Sequence, residues 1–544
     1  MNKLKGALVA FILFFISCFY FEQQFGFIKL KPLDGIKELA RKPKLMLATV
    51  STGAYQDSLN NYLNENLGFR PYLVRMLNQL QFSLFNTTKA PGVVIGKNGM
   101  LFIESYINNY TGVNFVGKTK ADELIRKTKQ LQDSLAKNGV DLYVVFAPGK
   151  ATYYSEYIPD YYLARKKDTT NYSYYSTNFI KSGINFIDFN KYFKEKKETF
   201  AYPIYPEYGT HWTSYGSALA VDSIIKYIEQ KKKIDMPDFT YRDVSLRDSL
   251  NERDYDVGIL LNLPSILTHK PMPYLKYTYD EYNKVKPDVL VVGDSYWWGV
   301  VGEDIPQHLF KEDAYWYYNK ERYIHNVKTG DVNSVKLAKE IAKRDVIILM
   351  TTEATYDLFP FGFIDKAYEI YCLSTEEKQK LITAKINSMS DWKKSIVTKA
   401  AENHISVDEQ MKKDVDYVVQ MDYTPIKKPE SYMIGDEYNL PEVIKYLEET
   451  KERMKRNSEW MAQIKLKAKG KNISIEKMMD IDAKYIYDTE VKQKKIEEIK
   501  ERMWNAPEWI AQIKLKAKER NLSFEKMMDL DAKYLYDTEV RHKK

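Results

Sequence analysis

An apolar run that ends abruptly in Gly-Asp-Ser constrains the fold of this chain more than any other feature. Residues 288–300 read Asp-Val-Leu-Val-Val-Gly-Asp-Ser-Tyr-Trp-Trp-Gly-Val. A short, continuous, β-branched run of this kind is typical of a buried strand in a parallel sheet. Because ligands bind beyond the carboxyl ends of the strands in open α/β sheets, Ser295 is expected at a position suited to a nucleophilic hydroxyl. A serine that only caps the following helix is the structural alternative.

Strand and helix patterns alternate along the middle of the chain, which we take as one domain over residues 116–375. Apolar runs at 140–146 and 346–351 resemble the run before Ser295, and helical spacing is clear at 217–230. Such alternation predicts an α/β fold in which a parallel sheet is flanked by helices on both faces.

A nucleophilic serine needs a general base, and His211 is the candidate. Of the six histidines in the chain, it alone stands in a distinctive setting, Gly-Thr-His-Trp-Thr. Thr213 or Ser214 is suited to capping the helix that follows, so His211 is expected to project from a loop at the rim of the sheet. A structural role for this loop histidine is the alternative.

These blocks resemble the alginate O-acetyltransferase-like group of the SGNH hydrolase superfamily. The resemblance rests on Gly-Thr-His-Trp-Thr followed by the Gly-Asp-Ser strand end, and it extends to blocks at 68–70, 93–102, 144–152 and 345–353. It implies an SGNH-hydrolase-like domain that transfers an acetyl group, through an acyl-serine, to a hydroxyl of an exported polysaccharide. It further implies a periplasmic protein anchored in the inner membrane beside a membrane-bound O-acyltransferase partner.

The acid that should complete a Ser-His-Asp triad is where this chain departs from the family pattern. The family usually has an aspartate two residues before the histidine, and this chain has Gly209 there. Glu207 is the tentative acid, and Asp254 or Asp256 could instead arrive from a later loop. A Ser-His dyad and an impaired protein that only binds polysaccharide are further alternatives. A carbohydrate esterase would use the same groups.

Three more residues are candidates for binding substrate. Lys150 and Glu353 each follow a predicted strand at its carboxyl end, where the crevice of an α/β sheet lies. Lys150 could bind an anionic group and Glu353 a substrate hydroxyl, although each could equally serve its own loop. Tyr296, next to Ser295, is the third candidate.

The composition argues against several other classes of protein. The two cysteines and six histidines have no zinc-binding spacing, so we expect neither a catalytic metal nor a cofactor. The formal net charge of +8 comes from interspersed acids and bases, which favours a solvated surface over a nucleic-acid-binding stripe.

The N-terminal residues predict a signal anchor over residues 1–24. Lys3 and Lys5 precede an uninterrupted apolar run at 7–21, a pattern that leaves the rest of the chain on the exported side. The run is shorter than the roughly 20 residues of a comfortable span, so a cleaved signal peptide and a lipid-modified Cys18 are the alternatives.

The segment 25–115 is an N-terminal lead-in with helices and a hairpin. Its helical spacing places Leu73, Met76, Leu77 and Leu80 on one helix face. The Asn-Gly pair at 98–99 predicts the turn of the hairpin.

The C-terminal region, 376–544, contains an internal repeat. Nearly identical segments begin at Trp460 and Trp509, and a diverged copy begins at Trp392. We predict about three helical hairpins that stack because none can bury its apolar face alone. Packing or docking, rather than catalysis, is their expected role.

Overall fold

A computed structural model describes residues 2–35, 38–281, 284–428, 441–471, 474–519 and 522–541. The chain begins with helix α1 (Asn2–Phe25). Within the described residues, α1 is the one helix long and apolar enough to cross a membrane, with a candidate span of 21 residues over Lys5–Phe25. The span exceeds the apolar run because the helix continues through Glu22, Gln23 and Gln24. Its length and composition are compatible with a signal anchor.

The lead-in adds short helices and the expected hairpin. Strands β1 and β2 pair antiparallel, and both residues of the turn, Asn98 and Gly99, have positive φ. Asn and Gly tolerate this conformation better than other residues do, so the pair fixes the hairpin. The elements are α2 (Leu47–Ser51), α3 (Ala54–Asn66), α4 (Arg70–Phe85), β1 (Val93–Ile95), β2 (Leu101–Ile103) and α5 (Glu104–Thr111).

The central domain is built on a seven-stranded sheet flanked by helices. Its elements are α6 (Lys118–Ala136), β3 (Asp141–Phe146), α7 (Lys150–Tyr153), α8 (Asp160–Leu163), α9 (Asn171–Lys181), β4 (Phe186–Asp188), α10 (Phe189–Glu195), α11 (Ser214–Lys232), β5 (Asp238–Arg247), α12 (Asp256–Leu260), β6 (Met272–Asp280), β7 (Val289–Gly293), α13 (Trp298–Val301), α14 (Ile305–Leu309), β8 (Asp313–Tyr317), β9 (Glu321–Ile324), β10 (Val327–Asp331), α15 (Leu337–Ala342), β11 (Val346–Thr351) and α16 (Phe363–Tyr371). The strand order is β10-β9-β8-β7-β11-β3-β4. The five strands from β8 to β4 run parallel, which confirms the predicted α/β class.

The antiparallel pairs are additions that the sequence patterns did not predict. Strands β9 and β10 extend one edge of the sheet, and β5 and β6 form a separate two-stranded ribbon. The ribbon brackets the loop that leads into α12, which becomes important at the candidate site.

The central strands are buried on both faces, which explains their continuous apolar sequences. Along β7, Val289 and Val291 join one core cluster, whereas Leu290 and Val292 join the cluster on the opposite face. β3 and β11 alternate in the same way. Because the side chains of a strand point alternately to its two faces, a strand covered on both sides shows no polar alternation.

Within its described residues, the C-terminal region is helical and forms three units of three helices each, rather than the predicted hairpins of two. Each unit has its own apolar cluster, and Trp392, Trp460 and Trp509 lie in the second helix of their units. The helices are α17 (Thr375–Ser388), α18 (Ser390–Glu402), α19 (Val407–Asp422), α20 (Pro441–Arg456), α21 (Ser458–Lys471), α22 (Ile475–Ile486), α23 (Gln493–Trp504), α24 (Pro507–Glu519) and α25 (Phe524–Arg541).

An ion pair at equivalent positions recurs in all three units. Each pair joins a lysine of the second helix to an aspartate of the third, with nitrogen–oxygen distances of 2.7, 3.0 and 2.8 Å. The pairs are Lys399–Asp414, Lys467–Asp482 and Lys516–Asp531, each 15 residues apart in sequence. The diverged first unit therefore keeps the internal geometry of the other two.

Candidate active site

Ser295 lies directly beyond β7, in a single 3₁₀ turn over Ser295–Trp297. The buried carboxylate of Asp294 holds this turn in place. It accepts hydrogen bonds from the backbone N–H of Tyr296 (3.1 Å), the N–H of Thr352 (2.7 Å) and the hydroxyl of Thr355 (2.8 Å). Burial raises the pKa of Asp294, and these hydrogen bonds oppose the rise. The turn is thereby tied to the residues that follow β11, and its serine is fixed at the carboxyl edge of the sheet.

His211 reaches the same edge from the loop before α11. Thr213 caps that helix by accepting the N–H of Gly216. The Tyr296 hydroxyl donates to the carbonyl oxygen of Thr210 (2.6 Å), and its ring packs 5.2 Å from the imidazole. Nε2 of His211 lies 2.9 Å from Oγ of Ser295. The two side chains, 84 residues apart in sequence, are therefore in hydrogen-bond contact.

The carboxylate beside the other imidazole nitrogen belongs to Asp256. Its Oδ2 lies 2.8 Å from Nδ1 of His211. Its Oδ1 accepts the backbone N–H groups of Thr210 and Val257, both at 2.8 Å. The two atoms are in close contact, although the pair does not have the geometry of a hydrogen bond. Catalytic hydrogen bonds often align only once substrate is bound.

The tentative assignment of Glu207 as the acid is not supported by this geometry. An oxygen of the Glu207 carboxylate instead lies 3.7 Å from Nζ of Lys270. Asp254, the other aspartate considered, accepts the hydroxyl of Tyr274. Of the three carboxylates, only Asp256 contacts His211.

Gly209 makes room for the loop that carries Asp256. A Cβ atom at this position would lie 2.6 Å from the carbonyl oxygen of Arg253 and 2.6 Å from Cγ of Pro206. Such separations are far below van der Waals contact, so an aspartate at 209 would displace the loop. The absence of an aspartate at position 209 therefore leaves room for the loop that brings Asp256 to His211.

An ion pair anchors the same loop on its outer side. Arg253 donates to a carboxylate oxygen of Glu303 at 3.1 Å, and the hydroxyls of Ser214 and Tyr277 donate to that carboxylate as well. The carboxylates of Glu303 and Asp254, both near the site, thus accept hydrogen bonds from neighbouring side chains. Among the residues that the structure describes, no group of three or more His, Cys, Asp or Glu could hold a metal ion.

Lys150 is buried beside the site. Its Nζ donates to the carbonyl oxygens of Glu207 (2.9 Å) and Gly209 (2.7 Å), and its exposed fraction is 1%. Burial lowers the pKa of Lys150 to about 7, against the attraction of Asp256 and Glu207. The lysine therefore braces the loop that leads to His211, and its expected contact with substrate stays a prediction.

Glu353 and Tyr296 are likewise structural in this arrangement. The Glu353 carboxylate accepts the N–H groups of Ala151 and Thr152, each at 3.1 Å, as well as the Thr152 hydroxyl. Burial raises its pKa to about 7. Tyr296 is fully buried, with its hydroxyl on Thr210. Both side chains are engaged within the protein, and their expected contacts with substrate stay predictions.

Tyr318 is a site residue that the sequence patterns did not suggest. It follows β8 with a positive φ of 49°, its backbone N–H donates to the carbonyl oxygen of Gly293 at 2.8 Å, two residues before Ser295, and its side chain is half-buried. Burial raises the pKa of Tyr318, so the phenol stays protonated. A strand-end position is the one signal that could have found it, because β8 neighbours β7 in the sheet.

The sheet, the Gly-Asp-Ser turn and the contact of Ser295 with His211 define an SGNH-hydrolase-like α/β domain. Residues 93–297 match the family model described as "ALGX: SGNH hydrolase-like domain, acetyltransferase AlgX", so this segment of the chain is similar to that family. A search of curated protein sequences found no match.

Several solved structures are similar to part of the chain at low sequence identity. The O-acetyltransferase domain of Pseudomonas putida AlgJ is 16% identical, with a TM-score of 0.33, over 51% of this chain and 99% of that one. Pseudomonas aeruginosa AlgX is 16% identical, with a TM-score of 0.34, over 50% of this chain and 67% of that one. Bacillus cereus PatB1 is 12% identical, with a TM-score of 0.29, over 45% of this chain and 93% of that one.

Proposed function

We propose that the central domain is a serine-dependent O-acetyltransferase that acts on hydroxyl groups of an exported polysaccharide. The observation that carries the proposal is that the His211 imidazole lies between Ser295 and Asp256, with contacts of 2.9 and 2.8 Å. A hydroxyl, an imidazole and a carboxylate in this order are the groups that acyl transfer requires. The acetyl group follows from the acetyltransferase family of residues 93–297.

In the first half of the proposed reaction, Nε2 of His211 takes the hydroxyl proton of Ser295. The oxygen attacks the acetyl carbonyl of the donor, and the bond from that carbon to the leaving group breaks. His211 returns the proton to the leaving group, which leaves acetyl-Ser295. Asp256 stabilises the imidazolium and fixes its tautomer. Backbone N–H groups of the Ser295 turn are the proposed donors to the oxyanion, and the protonated phenol of Tyr318 is a further proposed donor.

In the second half, a polysaccharide hydroxyl replaces the leaving group. His211 removes its proton, the sugar oxygen attacks the acetyl carbon, and the bond to Oγ of Ser295 breaks as the proton returns to the serine. Water in place of the sugar would make the same site an esterase.

The proposed location is the periplasmic side of the inner membrane, with α1 as a retained anchor. The span over Lys5–Phe25 and the positive charge before it support this placement. A membrane-bound O-acyltransferase is the proposed partner that supplies the acetyl group, as the family resemblance implies. The C-terminal units are proposed to pack or dock rather than to catalyse.

An acetyl-transfer assay tests the function. The full chain is incubated with p-nitrophenyl acetate as donor, with and without oligosaccharides that carry free hydroxyls. We expect acceptor to accelerate nitrophenol release and mass spectrometry to find acetylated oligosaccharide. Equal release in both conditions, with no acetylated sugar, would identify an esterase, and no release above buffer would leave only binding.

A separate prediction concerns Lys150, which braces the His211 loop. The substitution Lys150→Met leaves two buried carbonyl oxygens without a donor, and each such loss costs about 1–3 kcal/mol. We expect a lower free energy of unfolding and a reduced kcat, with KM for the chromogenic ester nearly unchanged. Denaturant titration and steady-state kinetics measure the three quantities.

The exposed Lys120→Met serves as the matched control and should change none of them. A raised KM with unchanged stability would instead support Lys150 as a substrate contact.

A further inference from the structure

The outer face of helix α4 is apolar, and it points away from the protein. Leu73, Met76, Leu77, Leu80 and Leu84 recur at three- and four-residue spacing, and all five are exposed, Leu80 by 52% and Leu84 by 68%. We call these five residues the outer face of α4. On the surface helix of a globular protein, such a stripe normally faces the core.

The inner face of α4 is held by polar contacts, so the helix cannot turn its leucines inward without losing them. The Arg75 guanidinium donates to the carbonyl oxygens of Lys31 (2.8 Å) and Pro32 (2.7 Å). The Asn78 amide donates to the carbonyl oxygen of Leu261 at 2.8 Å. Phe82 of α4 also packs against an apolar cluster of the protein, so the helix has apolar contacts on its inner face as well. The exposed apolar stripe on the other face calls for an apolar partner of its own.

The start of α4 is packed against α1, the candidate membrane span. The rings of Phe19 and Phe69 lie 5.9 Å apart, with an edge-to-face geometry. The backbone at Gly68 approaches α1 so closely that a Cβ there would lie 2.2 Å from the carbonyl oxygen of Phe19. Phe19 is six residues before the end of α1, roughly 9 Å along its axis at the rise of an α-helix. Helix α4 thus begins beside the last turns of α1.

We propose that the outer face of α4 lies on the surface of the bilayer that α1 crosses, at the boundary between headgroups and acyl chains. The contact with α1 places the helix at this level, and interfacial helices insert an apolar face about 5–10 Å deep. The lead-in also exposes Lys29, Lys42, Lys44 and Lys89, which suit anionic headgroups. The proposal rests on α1 remaining as a membrane anchor and makes no use of the proposed chemistry.

Such a contact would hold the candidate active site close to the membrane. Asn78 bonds to the carbonyl of Leu261, which directly follows α12, and α12 begins at Asp256. The helix that faces the bilayer therefore backs the element that carries the proposed acid.

Depth-dependent fluorescence quenching tests the proposal on the full chain. Single-cysteine proteins carry Leu77→Cys on the outer face, Phe14→Cys within α1 or Ile180→Cys, an exposed apolar position of the sheet domain, with Cys18→Ser and Cys372→Ser as background. Each is labelled with an environment-sensitive dye and reconstituted alone in phosphatidylcholine–phosphatidylglycerol vesicles. The lipids carry a nitroxide quencher either near the headgroup or deep in the acyl chain.

We expect strong quenching at Leu77, greater with the shallow nitroxide, and the opposite preference at Phe14. The label at Ile180 should be quenched by neither. A Leu77 label that stays unquenched while Phe14 is quenched would overturn the proposal and reserve the face for a protein partner. Energy transfer between Leu77 labels that grows with protein density would assign it to a second copy. An unquenched Phe14 label would show that α1 does not insert into the bilayer, and this result would overturn the proposal.

Discussion

Replacing Ser295 by alanine is expected to lower the rate of acetyl transfer by about 10⁴-fold or more. The alanine removes the only atom that can form the acetyl-enzyme in the proposed scheme, and the remaining backbone donors can only polarise the donor carbonyl. Stability should change little, because the Ser295 hydroxyl bonds to His211 at the rim and not to the core. The effect should therefore fall on kcat rather than on folding.

Nitrophenol release from the chromogenic ester measures this loss, and intact-protein mass spectrometry looks for the acetylated serine directly. Ser223→Ala on α11 is the matched control, since that hydroxyl only bonds to a carbonyl within its own helix. We expect acetyl-enzyme in the parent and the control but not in Ser295→Ala. An acetylated protein without Ser295 would assign the nucleophile to another residue.

The sheet could be predicted from sequence because its central strands are buried on both faces. Continuous apolar runs at β3, β7 and β11 are typical of buried strands in a parallel sheet. Because parallel strands end at the same edge of the sheet, the residues that follow these runs lie near one another. This geometry places Ser295 at the rim, and His211 reaches the same rim from the loop before α11. The position of a residue along the chain does not, however, fix the direction of its side chain.

Lys150 and Glu353 illustrate that limit. Both follow strands at the carboxyl edge, as expected, yet both turn inward. Glu353 satisfies backbone N–H groups at the start of α7, and Lys150 satisfies carbonyls of the loop before His211. Buried loop backbone needs such partners, and local sequence does not reveal which side chain supplies them.

The number of helices in each C-terminal unit could not be predicted from the sequence for a different reason. The repeat is obvious only from the tryptophan of the second helix onward, whereas the first helices, α20 and α23, differ more in sequence. The visible repeat therefore predicts one helix too few in each unit. The recurring lysine–aspartate pairs lie within the similar part, so they hold the units together without marking where each begins.

Asp256 could be considered from sequence but not chosen. It is 45 positions from His211, beyond the β5 strand, and nothing local distinguishes it from Asp254. The informative residue was Gly209, whose missing side chain leaves the space that the Asp256 loop occupies. A glycine in place of an expected acid therefore indicated a relocated carboxylate here, and not an absent one.

The second prediction with a large expected effect follows from the assignment of Asp256 as the acid. Asp256→Asn is expected to lower kcat by about 10⁴-fold with little change in KM, whereas Glu207→Gln should stay within a few-fold of the parent. The asparagine can keep its carbonyl oxygen on the N–H groups of Thr210 and Val257, so the loop should hold. Its amide would then face Nδ1 as a donor, which favours the imidazole tautomer protonated at Nε2. In that tautomer, His211 cannot accept the proton of Ser295.

Steady-state kinetics on both variants separate the two carboxylates, and circular dichroism with thermal melting checks that each is folded. Gly209→Asp offers a further arm: placing an acid at the family's usual position in the Asp256→Asn background should not restore activity, because the loop backbone already fills that space. Full activity in Asp256→Asn together with a deep loss in Glu207→Gln would reverse the assignment. Equal activity in all variants would reduce the site to a Ser-His dyad in which the carboxylate beside His211 orients the ring without contributing to the rate.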